Sequence, residues 1–239
     1  MSLDLDRITH PLRLASGSHQ PGSGKGCAMN VISYINGDTQ ITDFPECSAR
    51  PLARIVQSLN DRLAGGDGFL SPEDSVVVLD IGWRTVGTAA VPREVVWHWL
   101  SDLLVHPEMG VVKLARPDGE VAIRRVAELL MRFSRGEPVS AAEWSGASSA
   151  AQEARKAAYA NAAGYANAAA AAAVDAAAAA AAAVDAYAAA AAAVDAYAKQ
   201  ARITFTRWAV ERWRELAGLD EPQDIDAAAV DSALVQIGG

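Results

Sequence analysis

An alanine-rich tract in the second half of the chain limits what the protein can fold into. Between Ala157 and Ala198, 29 of 42 residues are alanine, the residue with the highest helix propensity, and no proline follows until Pro222. We therefore predict helix from about Ala141 to Ala217. A single helix from Tyr165 to Ala217 would be ~80 Å long, whereas a compact domain of this size has a radius of gyration of about 18 Å. The tract is thus expected to form an extended helix or a helical hairpin.

The tract carries a ten-residue repeat, whose Val-Asp pairs begin at Val174, Val184 and Val194. Ten residues leave each repeat about 80° behind the previous one, so the pattern is not a heptad coiled coil. Four side chains nonetheless share a broad helix face: Val184, Tyr187, Val194 and Tyr197. Alanine on this surface lets helices approach closely, and an uncovered tract would associate. We predict a homo-oligomer with these four residues at the interface.

Separate amphipathic helices are predicted along the rest of the chain. One apolar stripe has helical spacing and consists of Leu52, Ile55, Val56, Leu59 and Leu63. Ser71-Pro72 and Pro92-Arg93 are typical helix starts, another helix is predicted over Val121–Arg135, and Ser140 with Glu143 forms a capping box.

Two short apolar runs, Val76–Leu79 and Val111–Leu114, have the composition of buried strands. Because they are isolated, we expect little sheet. The predicted fold class is all-α, with an N-terminal helical module followed by the long alanine-rich helical hairpin or extended helix. The expected divisions are a module over residues 1–109 with a Gly/Ser/Pro-rich entry loop, the alanine-rich region over 110–218, and an acidic tail over 219–239.

Charge and hydropathy exclude several classes of partner. The net charge of −8 and the pI near 5.0 oppose phosphate-backbone binding, so no nucleic-acid partner is expected. An aspartate interrupts the alanine tract every ten residues, so no membrane-spanning helix is expected. Residues Met1–Arg13 lack the basic start and apolar run of a signal peptide, which predicts a cytoplasmic protein.

Three side chains in the N-terminal module are candidate zinc ligands: His19, Cys27 and Cys47, with Asp43 nearby. Their spacing matches no standard zinc knuckle, and the alternative is that both cysteines are ordinary buried thiols. Cys27 could instead be a nucleophile, because a helix start lowers a thiol pKa, with His19 as its base. Apart from zinc on this set, no cofactor is expected.

The run from Gly22 to Gly26, Gly-Ser-Gly-Lys-Gly, resembles the end of a phosphate-binding loop. That pattern requires glycine at position 19 and serine or threonine at position 26, where this chain has His19 and Gly26. We therefore interpret the run as a connecting loop.

Residues Leu14 to Ala64 resemble a module of uncharacterised actinobacterial and actinophage proteins. The residues that carry the resemblance are Gly17-Ser18-His19, Gly26-Cys27-Ala28-Met29, Tyr34-Ile35-Asn36-Gly37, Asp43, Pro45-Glu46-Cys47 and Leu59-Asn60-Asp61. The stretch from Arg135 through the alanine tract to Leu216 resembles the alanine-rich helical repeats of proteins labelled putative immunity proteins. The first resemblance implies a phage or bacterial origin, and the second implies a binder that neutralises another protein, with no residue roles carried over.

Taken together, these patterns predict a non-enzymatic helical protein-interaction protein, phage-encoded and binding or neutralising a host protein. The alternative is a small thiol or zinc-dependent enzyme centred on His19, Cys27 and Cys47. The two hypotheses differ in whether Cys27 has the chemical surroundings of a reactive group.

Overall fold

The computed structural model describes residues 12–17, 24–115, 117–160 and 195–238 of the 239-residue chain. This part of the chain is all-helical, as predicted, with eight α-helices and no β-sheet within the described ranges. The helices are α1 (Ala28–Asn36), α2 (Arg50–Leu63), α3 (Pro72–Trp83), α4 (Arg93–Val105), α5 (Pro117–Ser134), α6 (Ala141–Ala160), α7 (Asp195–Ala217) and α8 (Ala227–Gly238). None of the described helices is long and apolar enough to cross a membrane.

The helix starts predicted at Ser71 and Ser140 coincide with observed helix starts, and a glycine ends α1. Ser71 accepts a hydrogen bond from the Asp74 amide at the start of α3. Gly37 ends α1 with a φ of 77°, a left-handed conformation that favours glycine. At the start of α6, the Ser140 amide donates to Glu143 and the Glu143 amide donates to the Ser140 hydroxyl, which is the predicted capping box.

The two runs with strand-like composition are helical. Val76–Leu79 lies inside α3, where Val78 and Leu79 face the core, and Val111–Leu114 forms a 3-10 turn. The Ser71 cap and Pro72 start α3 early enough to include the first run. Among the described residues only two isolated bridges have β geometry, Ala15 with Phe69 and Ser48 with Val86, so neither run has a strand to pair with.

The chain divides into two compact units whose limits differ from the expected ones. The first unit combines Met1–Ala90 with Leu219–Gly239, and the second unit is Val91–Gly218. The expected boundary at residue 109 falls within the second unit. The segment 219–239, expected as an acidic tail, contains α8, which packs on α1.

In the first unit, α1, α2 and α3 contact one another around α1. Gly82 permits a close approach of α3, because a β-carbon added there would lie 2.9 Å from the δ-carbon of Ile32. The segment before α8 is fixed on α3, where the Trp83 indole donates to the Gln223 carbonyl over 2.7 Å and Arg84 pairs with Glu221 over 3.0 Å.

In the second unit, α4 packs against α5, α7 and the 3-10 turn, and α5 packs against α6. Trp99 is fully buried, and its indole donates to the Ala209 carbonyl of α7 over 2.7 Å. Its ring meets that of Trp213 edge to face at 5.0 Å. Arg212 of α7 donates to Asp102 of α4 over 2.7 Å, which adds a charged contact between the same two helices.

Helices α6 and α7 border the alanine tract, as predicted, but residues 161–194 lie outside the described residues. The choice between an extended helix and a hairpin therefore stays a prediction. Three of the predicted interface residues, Val184, Tyr187 and Val194, lie in that range. Tyr197 belongs to α7.

Candidate functional site

Backbone hydrogen bonds of Leu14 and Ala15 position the segment that precedes Cys27. The Ala15 amide donates to the Gly26 carbonyl, and the Leu70 amide donates to the Leu14 carbonyl, each over 2.9 Å. The Leu14 amide in turn donates to the Ser75 hydroxyl over 3.1 Å. These bonds hold the segment between α1 and α3, and Cys27 becomes the residue that caps α1.

Cys27 belongs to a buried polar group centred on Asp43, which we call the Cys27–Asp43 cluster. Its members are Cys27, Asn30, Asp43 and Gln57. The Cys27 thiol donates to Asp43 Oδ1 over 3.5 Å, and Asn30 Nδ2 donates to the same oxygen over 3.1 Å. Gln57 Nε2 donates to Asp43 Oδ2 over 3.1 Å. Both carboxylate oxygens therefore accept hydrogen bonds from neutral donors.

The surroundings of Cys27 keep its thiol protonated. Burial of the sulfur and, second, the negative charge of Asp43 together raise the pKa of Cys27 to about 12. The expectation that the helix start would lower this pKa is wrong. Hydrogen bonds from backbone groups do favour the thiolate, but burial of the sulfur outweighs them.

The amides at the start of α1 are already bonded within the chain. Asn30 Oδ1 accepts from the Cys27 amide over 2.9 Å, and Asn60 Oδ1 accepts from the Ala28 amide over 3.3 Å. Gly26 is covered by Ile237 of α8, because a β-carbon added at Gly26 would lie 2.3 Å from Cγ2 of that side chain. Glycine at position 26 thus permits helix packing, and the Cys27 and Ala28 amides, which could bind a phosphate at this helix start, already have acceptors within the chain.

The predicted zinc ligands are only partly described. His19 lies outside the described residues. Cys47 is half-buried with its sulfur 3.8 Å from the Ser48 hydroxyl, and burial raises its pKa. Among the described residues, no three His, Cys, Asp or Glu side chains form a group that could hold a metal ion. The zinc set therefore stays a prediction, and the contact that the structure adds to it is the one between Cys27 and Asp43.

A second candidate site, which the sequence did not indicate, is a row of aromatic rings in the second unit. Trp97 of α4 stacks on Phe133 of α5, and Phe133 stacks on Trp144 of α6, with 5.5 Å between ring centroids in each pair. The interplanar angles are 28° and 19°. We call these three residues the aromatic stack. All three rings are half-buried, and the Arg93 guanidinium lies 5.4 Å from the Trp97 ring centroid.

Ion pairs fix the turn that presents Trp144. Arg132 at the end of α5 pairs with Glu143 at the start of α6 and also donates to the Pro138 carbonyl. The Ser140 amide, followed by Arg132, lowers the pKa of Glu143 to about 2. Glu143 therefore stays ionised as both the capping residue and the partner of Arg132. In the sequence the three rings lie near the start, the end and the start of three consecutive helices, but no sequence pattern pairs them.

The two units thus offer sites of different character. The Cys27–Asp43 cluster of the first unit is polar and closed, whereas the aromatic stack of the second unit is apolar and partly open to solvent. Comparisons with protein-family models, curated proteins and solved structures found no match to this chain.

Proposed function

We propose that the protein is a non-enzymatic helical interaction protein that self-associates and binds other proteins through the second unit. The observation that carries this proposal is the aromatic stack. Tryptophan and arginine are the side chains most enriched among residues that dominate binding energy at protein interfaces. Here Trp97 and Trp144 are half-buried members of the stack, and the exposed Arg93 lies over the Trp97 ring.

The stack has the rigidity that an interface anchor requires. Each ring comes from a different helix, and each helix packs on the next. The Arg132 pair with Glu143 and the capping box hold the turn between α5 and α6. Binding a partner would therefore cost little conformational entropy at these side chains, because they are already held in place.

The chemistry of Cys27 favours the same proposal over a thiol enzyme. A nucleophilic cysteine needs a stabilised thiolate. Cys27 instead donates its proton to a carboxylate, and it is fully buried. Zinc binding retains one observation in its favour: the 3.5 Å contact brings a thiol and a carboxylate together, and both are zinc ligands when deprotonated.

The predicted interface on the alanine tract is part of this proposal. Val184, Tyr187, Val194 and Tyr197 would add a helix face of small residues and tyrosines to the association surface. Replacing Tyr187 and Tyr197 together by glutamate would place two charges on that face and weaken self-association.

The test compares three alanine variants of the full-length chain by light scattering over a concentration series. We expect Trp97→Ala and Trp144→Ala each to weaken self-association at least tenfold, since truncating a central aromatic anchor costs about 2 kcal/mol of binding free energy.

Trp208→Ala is the matched control. Trp208 is also a half-buried tryptophan of the second unit, but it contacts His106 and Phe205 and lies outside the stack. Its loss should leave self-association within about twofold of the unmodified chain. Equal weakening by all three variants would show that lost stability, and not the stack, controls association. A monomer at every concentration would contradict the proposal.

A further inference from the structure

We propose that α8 is a latch over the Cys27–Asp43 cluster. Its local detachment is the step that admits solvent, thiol-reactive reagents or metal ions to Cys27. The latch is a conformational device within the first unit. It is independent of the interaction surface proposed for the second unit.

The position of Ile237 is the first observation. Lys25 is exposed, whereas Gly26 and Cys27 are buried, so the chain passes from solvent into the core within two residues. At this point the Ile237 side chain lies against Gly26. A β-carbon added at Gly26 would be 2.3 Å from Ile237 Cγ2 and 3.5 Å from Asn30 Cβ. Ile237 therefore covers the entry to the cluster beside Asn30.

The hydrogen bonds of Asn30 connect this cover to the thiol. Its side-chain oxygen accepts from the Cys27 amide, and its side-chain nitrogen donates to the carboxylate that accepts from the Cys27 thiol. Withdrawal of Ile237 would thus expose the side of the cluster where Asn30 joins Cys27 to Asp43. On the other sides of the cluster, the half-buried Gln57 donates to Asp43 and the buried Asn60 accepts from the Ala28 amide.

The construction of α8 suits a segment that opens separately from the rest of the unit. Its buried face consists of Ala227, Val230, Ala233 and Ile237, and two of these are alanines that bury little area. Before the helix, the attachment consists of the half-buried Trp83 indole, the Arg84–Glu221 pair and the buried Ile225 side chain.

The polar contact along α8 is also easily exchanged for water. Tyr34 and Ser232 share a hydrogen bond of 3.1 Å between exposed hydroxyls. Its net contribution to holding the helix down is small, because water replaces it on opening. Ile237 is therefore the residue whose packing most directly closes the cluster.

The experiment measures the rate at which Cys27 reacts with 5,5′-dithiobis(2-nitrobenzoate) in the full-length chain. Cys47→Ser is introduced in every protein so that Cys27 is the one thiol whose reaction is measured. We expect Ile237→Ala to raise the rate at least about tenfold, because lost packing shifts the local opening equilibrium. Gly26→Ala should have a similar effect, since its β-carbon would meet Ile237 at 2.3 Å.

Val235→Ala is the matched control, because Val235 lies on the same helix with 48% of its surface exposed. Its reaction rate should stay within about twofold of that of the parent chain. Ile237→Val offers a milder change that preserves folding, and it should give an intermediate rate.

The dependence of the rate on urea distinguishes local from global opening. A latch predicts a weaker urea dependence than that of complete unfolding, because detaching one helix exposes less surface. Equal rates for the Ile237→Ala and Val235→Ala proteins would overturn the proposal. So would a urea dependence as steep as that of global unfolding.

Discussion

At the scale of single residues, Cys27 shows how a local signal can be reversed by tertiary contacts. The cysteine does cap a helix, as its sequence position predicted, and helix starts stabilise thiolates. Its sulfur is nevertheless buried beside the Asp43 carboxylate, which comes from a loop 16 residues away. Desolvation and a like charge both favour the protonated thiol, so the residue is stable and unreactive in the closed molecule.

This arrangement predicts a specific pH dependence of stability. The pKa of Cys27 rises on folding from an ordinary value of 9.0 to about 12, so the folded chain holds the proton more tightly than the unfolded chain. The resulting stabilisation is fully present below pH 9 and is lost as the pH rises towards 12. Relative to Cys27→Ala, the free energy of unfolding should fall by about 1.4 kcal/mol per pH unit above pH 9.

Urea titrations of the two proteins between pH 8 and about pH 10.5 measure this difference. Subtracting one curve from the other removes the titration of lysines and tyrosines that both proteins share. Curves that run parallel over the whole interval would show that the thiol is not held protonated by the fold.

At the scale of secondary-structure elements, capping and turn residues account for three of the helix boundaries. Ser71, Gly37 and Ser140 act locally, through bonds to amides or carbonyls within a few residues, so their effects are readable from sequence. Strand-like composition was misleading at Val76–Leu79, because β-branched residues also fill buried helix faces when a cap fixes the start. Helix α5 begins at Pro117 and not at the predicted Val121. The prediction began late because the first turn of this helix carries no apolar stripe.

The capping box of α6 provides a test at this scale. Ser140→Ala removes the hydroxyl that accepts from the Glu143 amide, and the loss should destabilise the chain by about 1 kcal/mol in urea unfolding. Ser145→Ala is the control, because Ser145 is exposed within the same helix and alanine there has a higher helix propensity. A Ser140→Ala protein as stable as the control would mean that the box contributes nothing to α6.

At the scale of the whole molecule, the division into units depends on contacts that no local pattern reveals. The first unit includes α8, which returns to α1 after a second unit of more than a hundred residues. The sequence analysis treated residues 219–239 as an acidic tail and had no basis for placing any part of them on Gly26. The close contact between Gly26 and Ile237 is visible only after folding, although glycine at position 26 is what permits it. The aromatic stack was missed for the same reason, since its rings come from three helices.

The central claim is that this chain is an interaction protein and not a thiol or zinc enzyme. The measurement that tests it most directly is the solution mass of purified, untagged protein by light scattering, with elemental analysis of the same sample. The account predicts a dimer or larger species that contains no stoichiometric metal. A monomer with about one zinc per chain, lost on replacement of Cys27 and Cys47, would contradict it.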